Sequence, residues 1–209
     1  MQNLGPGVWW ISEALAANAY LVRSGDRTIL IDPGTSPALN RVARTLHTAG
    51  IPPRSITDIV LTHYDVDHAQ SAAEWQHRTG ARAWLGALDA AILTGASPAP
   101  NTPFRRFMAA VTPMPKLPRN VVLLDEETEL LPGLVALPAP GHTPGHFAFT
   151  YAGFAFIGDA ASVDARGRLQ PGPAFMMSDV PQSESTRFAL SSLDVDWFCA
   201  GHTRPAKRT

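Results

Sequence analysis

The chain has 209 residues, and its 17 basic and 18 acidic side chains leave a formal net charge of −1. A chain of this length can bury the core of one domain, so we expect a single domain over residues 1–209. The balanced charge gives no basic surface for nucleic acid, and no apolar run approaches the roughly 18 residues of a membrane span. The lone cysteine, Cys199, excludes an internal disulfide, and the first residues lack a leader pattern. We therefore expect a cytoplasmic protein that acts on a small molecule, in an oligomeric state that the sequence leaves open.

The first third of the chain alternates strands and helices. β-rich runs at 8–12, 19–23 and 28–31 predict an antiparallel meander that ends at Asp32-Pro33-Gly34. Apolar residues at helical spacing predict a helix over 36–49, and Gly50 ends it. The apolar run 59–61 then predicts a buried strand.

The rest of the chain divides into a helical part, a proline-rich part and a β-rich part. Residues 94–118 hold six of the 19 prolines and predict an inserted loop, either a connector or a lid over the substrate, with one or two helical turns at 104–111. The remaining predictions are helices at 69–79, 87–93 and 181–190 and strands at 81–85, 121–124, 134–137, 146–151, 154–157 and 196–199.

Four potential metal ligands follow the strand at 59–61. They are His63, Asp65, Asp67 and His68, within six positions of one another. Imidazole and carboxylate are common ligands of divalent metals, and so dense a cluster at a strand end is difficult to explain without a cation. The sequence therefore predicts a metal site here.

Three further ligand-capable residues stand at the ends of later strand-like runs. They are His142, Asp159 and His202, and each follows a glycine. Glycine lets the backbone turn tightly out of a strand, so that the next side chain can be aimed inward.

In its order of motifs the chain resembles the metallo-β-lactamase superfamily, from about residue 8 to 204. That family's His-x-His-x-Asp-His motif corresponds to the cluster at 63–68, its later ligands to His142, Asp159 and His202, and its structural aspartate to Asp32. The resemblance implies the αββα fold of the α/β (α+β) class, with two mixed β-sheets face to face and helices outside. It also implies two divalent metal ions, one held by His63, Asp65 and His142 and the other by Asp67, His68 and His202, with Asp159 bridging them.

Asp65 is the departure from that pattern, because the family usually has a histidine there. Three carboxylates against two divalent ions leave one positive charge, where the usual two carboxylates leave two. We therefore expect weaker Lewis acidity and a metal preference moved from zinc toward iron or manganese. In the alternative, Asp65 turns away and only one metal binds tightly.

The resemblance also suggests roles around the site. Asp67 is expected to orient a metal-bridging hydroxide and receive its proton as a catalytic base. His146 either contacts substrate, supports the ligands, or is a histidine at a strand start; Tyr64 either lines the pocket mouth or does not. The stretch 175–177 is a candidate pocket wall. Arg105 and Arg106 are either solvated or hold an anionic substrate.

Two functions remain open. The first is a metal-dependent hydrolase in which the bridging hydroxide attacks a small ester, thioester, lactone or phosphodiester. Glyoxalase II-like thioesterases resemble the chain in size and motif order, but we expect it to lack their C-terminal helical domain, which disfavours glutathione thioesters. The missing leader disfavours a secreted β-lactamase. The alternative is a di-iron redox enzyme like the flavodiiron proteins, which place a glutamate at the position of Asp65 and act on oxygen or nitric oxide; this one would need a separate electron donor.

Overall fold

Two mixed β-sheets face each other in the computed structural model, which describes residues 1–209. The first sheet has seven strands in chain order; the first four are antiparallel, and the last three add in parallel. They are β1 (Gln2–Gly5), β2 (Val8–Ile11), β3 (Ala19–Ser24), β4 (Arg27–Ile31), β5 (Asp58–Val60), β6 (Arg82–Gly86) and β7 (Val122–Leu124).

The second sheet has six strands in the order β15-β14-β11-β10-β9-β8. They are β8 (Thr128–Leu131), β9 (Leu134–Pro138), β10 (Phe147–Tyr151), β11 (Phe154–Gly158), β14 (Trp197–Ala200) and β15 (Ala206–Lys207). Only β11 and β14 pair in parallel. Two short strands, β12 (Ser162–Val163) and β13 (Leu169–Gln170), form a separate ribbon.

Six α-helices connect and cover the sheets. They are α1 (Leu39–Thr48), α2 (Val66–Ala69), α3 (Ala72–Thr79), α4 (Ala87–Thr94), α5 (Pro103–Val111) and α6 (Val180–Ser191). None of them is both long and apolar enough to cross a membrane.

The alternation of side chains along the strands builds three apolar layers. Ile29 and Ile31 of β4 belong to the cluster between the sheets, which also contains Phe156 of β11, whereas Leu30 packs outward with α1 and α3. Ile157 of β11 packs to the other side, in the cluster that includes Leu190 of α6. Because successive strand residues point to opposite faces, each central strand contributes to two layers, which gives the αββα sandwich.

The predicted fold class is confirmed, and most elements lie within a few residues of their predicted bounds. The helix predicted over 69–79 is divided, since α2 already begins at Val66 inside the ligand motif and α3 follows. Strands β1, β8, β12, β13 and β15 were not predicted, because they are short, partly exposed edges without a continuous apolar run.

Candidate metal centre

The seven ligand candidates lie at one edge of the two facing sheets. His63, Asp65, Asp67 and His68 follow β5, which ends at Val60, and the last two lie on α2. The other three follow strands of the second sheet: His142 after β9, Asp159 after β11 and His202 after β14. The strands of both sheets therefore deliver side chains to the same place.

Glycines make the close approach possible. Gly158 has a φ of +48°, and a Cβ there would lie 2.5 Å from the Thr62 hydroxyl. A Cβ at Gly201 would lie 2.2 Å from Asp159 Oδ1 and 2.6 Å from the His68 ring. Any side chain at either position would push the site apart, as the glycine before each later ligand suggested.

Besides a central group of His63, His68 and Asp159, the ligand atoms form two compact groups, each of which shares one histidine with it. His63, Asp65 and His142 make one, in which Asp65 Oδ2 lies 3.5 Å from His63 Nε2 and 3.0 Å from His142 Nε2. Asp67, His68 and His202 make the other, in which Asp67 Oδ2 lies 3.3 Å from His202 Nε2. In each group all three ligand atoms lie within 4.8 Å of one another. Asp65 therefore points into the site.

Asp159 lies between the two groups. Its Oδ1 is 3.4 Å from His68 Nε2, while its Oδ2 is 3.0 Å from His202 Nε2 and 3.7 Å from His142 Nε2. A carboxylate that reaches both groups in this way is placed to bridge two cations.

Unpaired buried atoms test whether these residues fit a metal. His63 Nε2, His68 Nε2 and Asp159 Oδ1 are buried and have no hydrogen-bond partner in the protein. Buried polar atoms are normally paired, because leaving one unpaired costs about 1–3 kcal/mol. Three of them converging at one point, from ligand-type side chains, is what a cation site requires.

The Nδ1 atoms of His63 and His68, on the side of each ring that faces away from the site, have hydrogen-bond partners in the protein. Asp32 Oδ2 lies 2.9 Å from His68 Nδ1 and 2.7 Å from the Thr62 hydroxyl, while Asp32 Oδ1 accepts the Thr62 N–H. Since the Thr62 hydroxyl donates to Asp32, its oxygen is free to accept from His63 Nδ1 at 2.9 Å. Both histidines thereby present Nε2 to the site, an arrangement common among metal-bound histidines.

His146 lies behind the ligands. Its Nε2 accepts the backbone N–H of Asp159 at 3.2 Å, and its ring stacks on His63 with centroids 5.0 Å apart. Burial, with the nearby His63 and His142, holds the pKa of His146 well below its usual value, so the ring is neutral.

The electrostatics of the site show where positive charge is favoured. Burial opposes the charged form of His68, but the carboxylates of Asp159 and Asp32 outweigh it and raise its pKa well above the usual value. Burial also works to raise the pKa of Asp65, yet the nearby imidazoles of His142 and His63 hold it well below its usual value. A cation bound between these groups would be stabilised by the same negative electrostatic potential.

Arg105 is a site residue whose contacts the sequence did not reveal. It lies in the first turn of α5, is only 7% exposed, and its guanidinium Nη1 donates to Asp65 Oδ1. The alternative of a solvated arginine is thus wrong for Arg105, although Arg106 is exposed. Contact with an anionic substrate stays a prediction. One signal was present: an arginine so near a helix N-terminus is unfavourable unless it has a specific partner.

Asp89 on α4 is a second residue that the sequence analysis missed. It is fully buried and accepts from the Tyr64 N–H at 3.1 Å, the Thr143 hydroxyl at 2.7 Å and the Gly145 N–H at 2.7 Å. It therefore joins the loop after β5 to the loop before β10. Burial raises the pKa of Asp89 to about 7, although the hydrogen bonds from Thr143 and Gly145 favour its charged form. The signal for it was a single acidic residue within the apolar helix 87–93.

Two small cavities adjoin the ligands. One, of about 70 Å³, is lined by His142, Asp159 and His202 and also by Met176 and Met177, two of the three residues of the candidate pocket wall at 175–177. The second, of about 60 Å³, lies under α5 and is lined by apolar residues together with Tyr64, Asp67 and Arg105. Tyr64 is 4% exposed, and burial raises its pKa to about 12.

Several known proteins are similar to this chain in sequence. A hydroxyacylglutathione hydrolase of Fuscovulum blasticum is 31% identical over 181 residues, which are 84% of this chain and 57% of that protein. One of Cereibacter sphaeroides is 30% identical over 88% of this chain and 61% of its own. The chain thus spans about three fifths of the length of these relatives.

Solved structures and a family profile complete the comparison. The structure of TTHA1623 in a di-iron-bound form is 29% identical with a TM-score of 0.67, over 91% of this chain and 89% of that one. The metallo-beta-lactamase family protein TTHA1429 from Thermus thermophilus shares the fold with a TM-score of 0.75 at 21% identity, over 98% of this chain and 76% of that one. The profile of the metallo-beta-lactamase superfamily matches residues 13–202, so the chain belongs to that superfamily.

Proposed function

We propose that this chain is a metal-dependent hydrolase of a small ester, thioester, lactone or phosphodiester. The observation that carries the proposal is the convergence of unpaired buried ligand atoms of His63, His68 and Asp159 at the edge shared by both sheets. The name of the hydroxyacylglutathione hydrolases supports a thioester within this range, although the chain covers only part of their length.

The ligand set proposed for two divalent ions follows the two groups of atoms. His63, Asp65 and His142 would hold one, Asp67, His68 and His202 the other, and Asp159 would bridge them. The di-iron form of TTHA1623 supports two metals and makes iron a candidate beside zinc and manganese. When bound, two such ions lower the pKa of a shared water and polarise the oxygen of the bond to be hydrolysed.

The protein's own groups then orient the reactants. The side chain of Asp67 is 28% exposed, more than Asp65 or Asp159, so its carboxylate faces the side from which water and substrate arrive. We assign it the orientation of the attacking water and the acceptance of its proton. Asp32 and His146 keep the ligands in place, and Tyr64, with its raised pKa, stays protonated and lines the cavity under α5.

The surroundings favour a substrate with an apolar part. Met176 and Met177 border the cavity at the ligands, and Met108 borders the one under α5. The proline-rich insertion at 94–118 would then cover the substrate, with α5 as its ordered part.

A hydrolysis panel tests the proposal. Protein purified without added metal is analysed for its metal content, reconstituted with Zn²⁺, Mn²⁺ or Fe²⁺, and offered members of the four bond classes. We expect about two metals per chain and turnover of at least one class. Asp67→Asn is expected to lower kcat by about 100-fold or more, within the range of a lost general base. No hydrolysis by any reconstituted form would contradict the proposal.

A di-iron redox enzyme acting on oxygen or nitric oxide is the second candidate, favoured by the carboxylate at Asp65 and the di-iron form of TTHA1623. It would require an external electron donor. Iron bound on purification, together with oxygen consumption on adding a reductant and no hydrolysis, would favour it over the first.

A further inference from the structure

Arg105 brings a buried positive charge to the edge of the candidate metal centre. Its Nη1 donates to Asp65 Oδ1, and its Nη2 donates to the carbonyl oxygen of His142 at 2.9 Å. The guanidinium also lies over the ring of Tyr64, 5.5 Å from its centroid. The arginine is therefore fixed on three sides, each of them close to a ligand candidate.

The two oxygens of Asp65 have different partners. Oδ1 is taken by Arg105, whereas Oδ2 lies 3.0 Å from His142 Nε2 and 3.5 Å from His63 Nε2, among the ligand atoms. The carboxylate thus joins the guanidinium on one side to the ligand group on the other. One oxygen remains for a cation while the other is paired.

We propose that Asp65 and Arg105 act as one unit that replaces a neutral imidazole ligand. The carboxylate supplies the ligand atom, and the guanidinium cancels its charge. This inference rests on the metal binding proposed above. It means that three carboxylates and one arginine leave the same formal charge as two carboxylates and a fifth histidine, so the loss of Lewis acidity expected from Asp65 alone does not follow. Arg105 is then a positioning residue that acts through Asp65.

The cost of burying the arginine supports the pairing. A guanidinium buried beside His142, whose Nε2 lies 3.3 Å from Arg105 Nη2, is unfavourable unless a carboxylate accompanies it, because an unpaired buried charge is strongly destabilising. Its place in the first turn of α5 adds to the cost, since the helix N-terminus already carries partial positive charge. Asp65 offsets both effects, whereas a histidine at the same position would offset neither.

Four variants test this unit: Asp65→His, Arg105→Met, the double variant Asp65→His/Arg105→Met, and Arg106→Met as the matched control on the same helix. Metal stoichiometry and affinity are measured by elemental analysis and by competition with a chelator. The melting temperature Tm is measured on chelator-treated protein. These readouts do not depend on turnover.

We expect Asp65→His alone to bind metal about 10–100-fold more weakly, because the uncancelled guanidinium then faces an imidazole and a cation. The double variant removes that charge and should recover affinity to within about tenfold of wild type. Arg105→Met should keep its metal but lower the Tm of the chelator-treated protein, since Asp65 loses its partner. Arg106→Met should resemble wild type in both measurements.

The outcomes separate this inference from the proposed function. If wild type binds two metals and the double variant binds no more tightly than Asp65→His, Arg105 has a merely structural role and the inference is overturned alone. The inference is likewise overturned, with the proposed function intact, if Asp65→His binds metal as tightly as wild type. If wild type binds no metal, the proposed function fails first.

Discussion

Asp89 is a residue that ties the ligand loops of the two sheets together through three hydrogen bonds. Its carboxylate pairs with Tyr64, next to His63, and with Thr143 and Gly145, beside His142. These loops come from parts of the chain about 80 residues apart, so their relative position depends on such links. The geometry of the ligands is therefore set partly by a residue that does not contact a metal.

Replacing Asp89 with alanine should weaken both stability and metal binding. Three buried donors lose their acceptor, and each unpaired donor costs about 1–3 kcal/mol, so we expect the free energy of unfolding to fall by about 3 kcal/mol or more. Urea denaturation and a chelator competition measure the two effects. The control is Asp26→Ala, at an exposed turn between β3 and β4. Equal unfolding free energies and metal affinities for wild type and Asp89→Ala would contradict this role.

At the same scale, the ligand candidates could be predicted and their partners could not. The cluster at 63–68 is recognisable because four ligand-type side chains lie within six positions of sequence: His63, Asp65, Asp67 and His68. Arg105 and Asp89 meet their partners only in the folded chain, 40 and 25 residues away from Asp65 and Tyr64. The charge assigned to the site from sequence was consequently incomplete, since it omitted Arg105.

Among the elements, the apolar strands of the sheet interiors were predictable, and so was the apolar edge strand β7, whereas the other edge strands were not. The β11 strand consists almost wholly of apolar residues and β4 ends in three of them, whereas β1 and β15 owe their conformation to a neighbouring strand. The helix α5 was foreseen only as one or two turns at 104–111 within the proline-rich insertion. In the structure Thr102 is its N-cap and Pro103 lies in its first turn. The packing of α5 against the ligand candidates was not foreseen, because it depends on contacts between residues that are distant in sequence.

Phe104 provides a test of how α5 is held. Its ring packs edge-on against Phe175, with centroids 5.5 Å apart, and joins the insertion to the loop before α6. Phe104→Ala removes this contact and should let α5 open more often. We expect trypsin to cleave after the exposed Arg106 severalfold faster, because cleavage within a helix requires local unfolding. Gel electrophoresis and mass spectrometry follow the cut.

Phe107→Ala is the matched control for that experiment. Phe107 lies on the same helix but is 61% exposed. Its removal should leave the cleavage rate close to that of wild type. Equal acceleration in both variants would show that the contact with Phe175 is not what holds α5 in place, because alanine has a higher helix propensity than phenylalanine.

In the whole molecule, the two sheets are joined by an apolar layer and by the candidate metal centre. The layer between them was foreseeable from alternating strands, because such strands can bury two faces only in a stacked arrangement. The single domain expected over residues 1–209 stays a prediction. A single cooperative unfolding transition would support it. If the ligand candidates bind metal, their position between the two sheets should make that transition depend on metal.

Removing metal should therefore destabilise the entire fold rather than one loop. Four ligand candidates follow the first sheet and three follow the second, so bound metal links both halves. A ligand that binds only the folded chain at 100 times its Kd adds about 2.7 kcal/mol, which corresponds to a Tm higher by roughly 5–10 °C for a chain of this size. Calorimetry with excess metal or excess chelator measures the difference.

His142→Ala should lose most of the metal-dependent shift and His47→Ala, on the outer helix α1, should keep it. A wild-type Tm that is the same under both conditions would mean that the centre does not join the sheets through a cation.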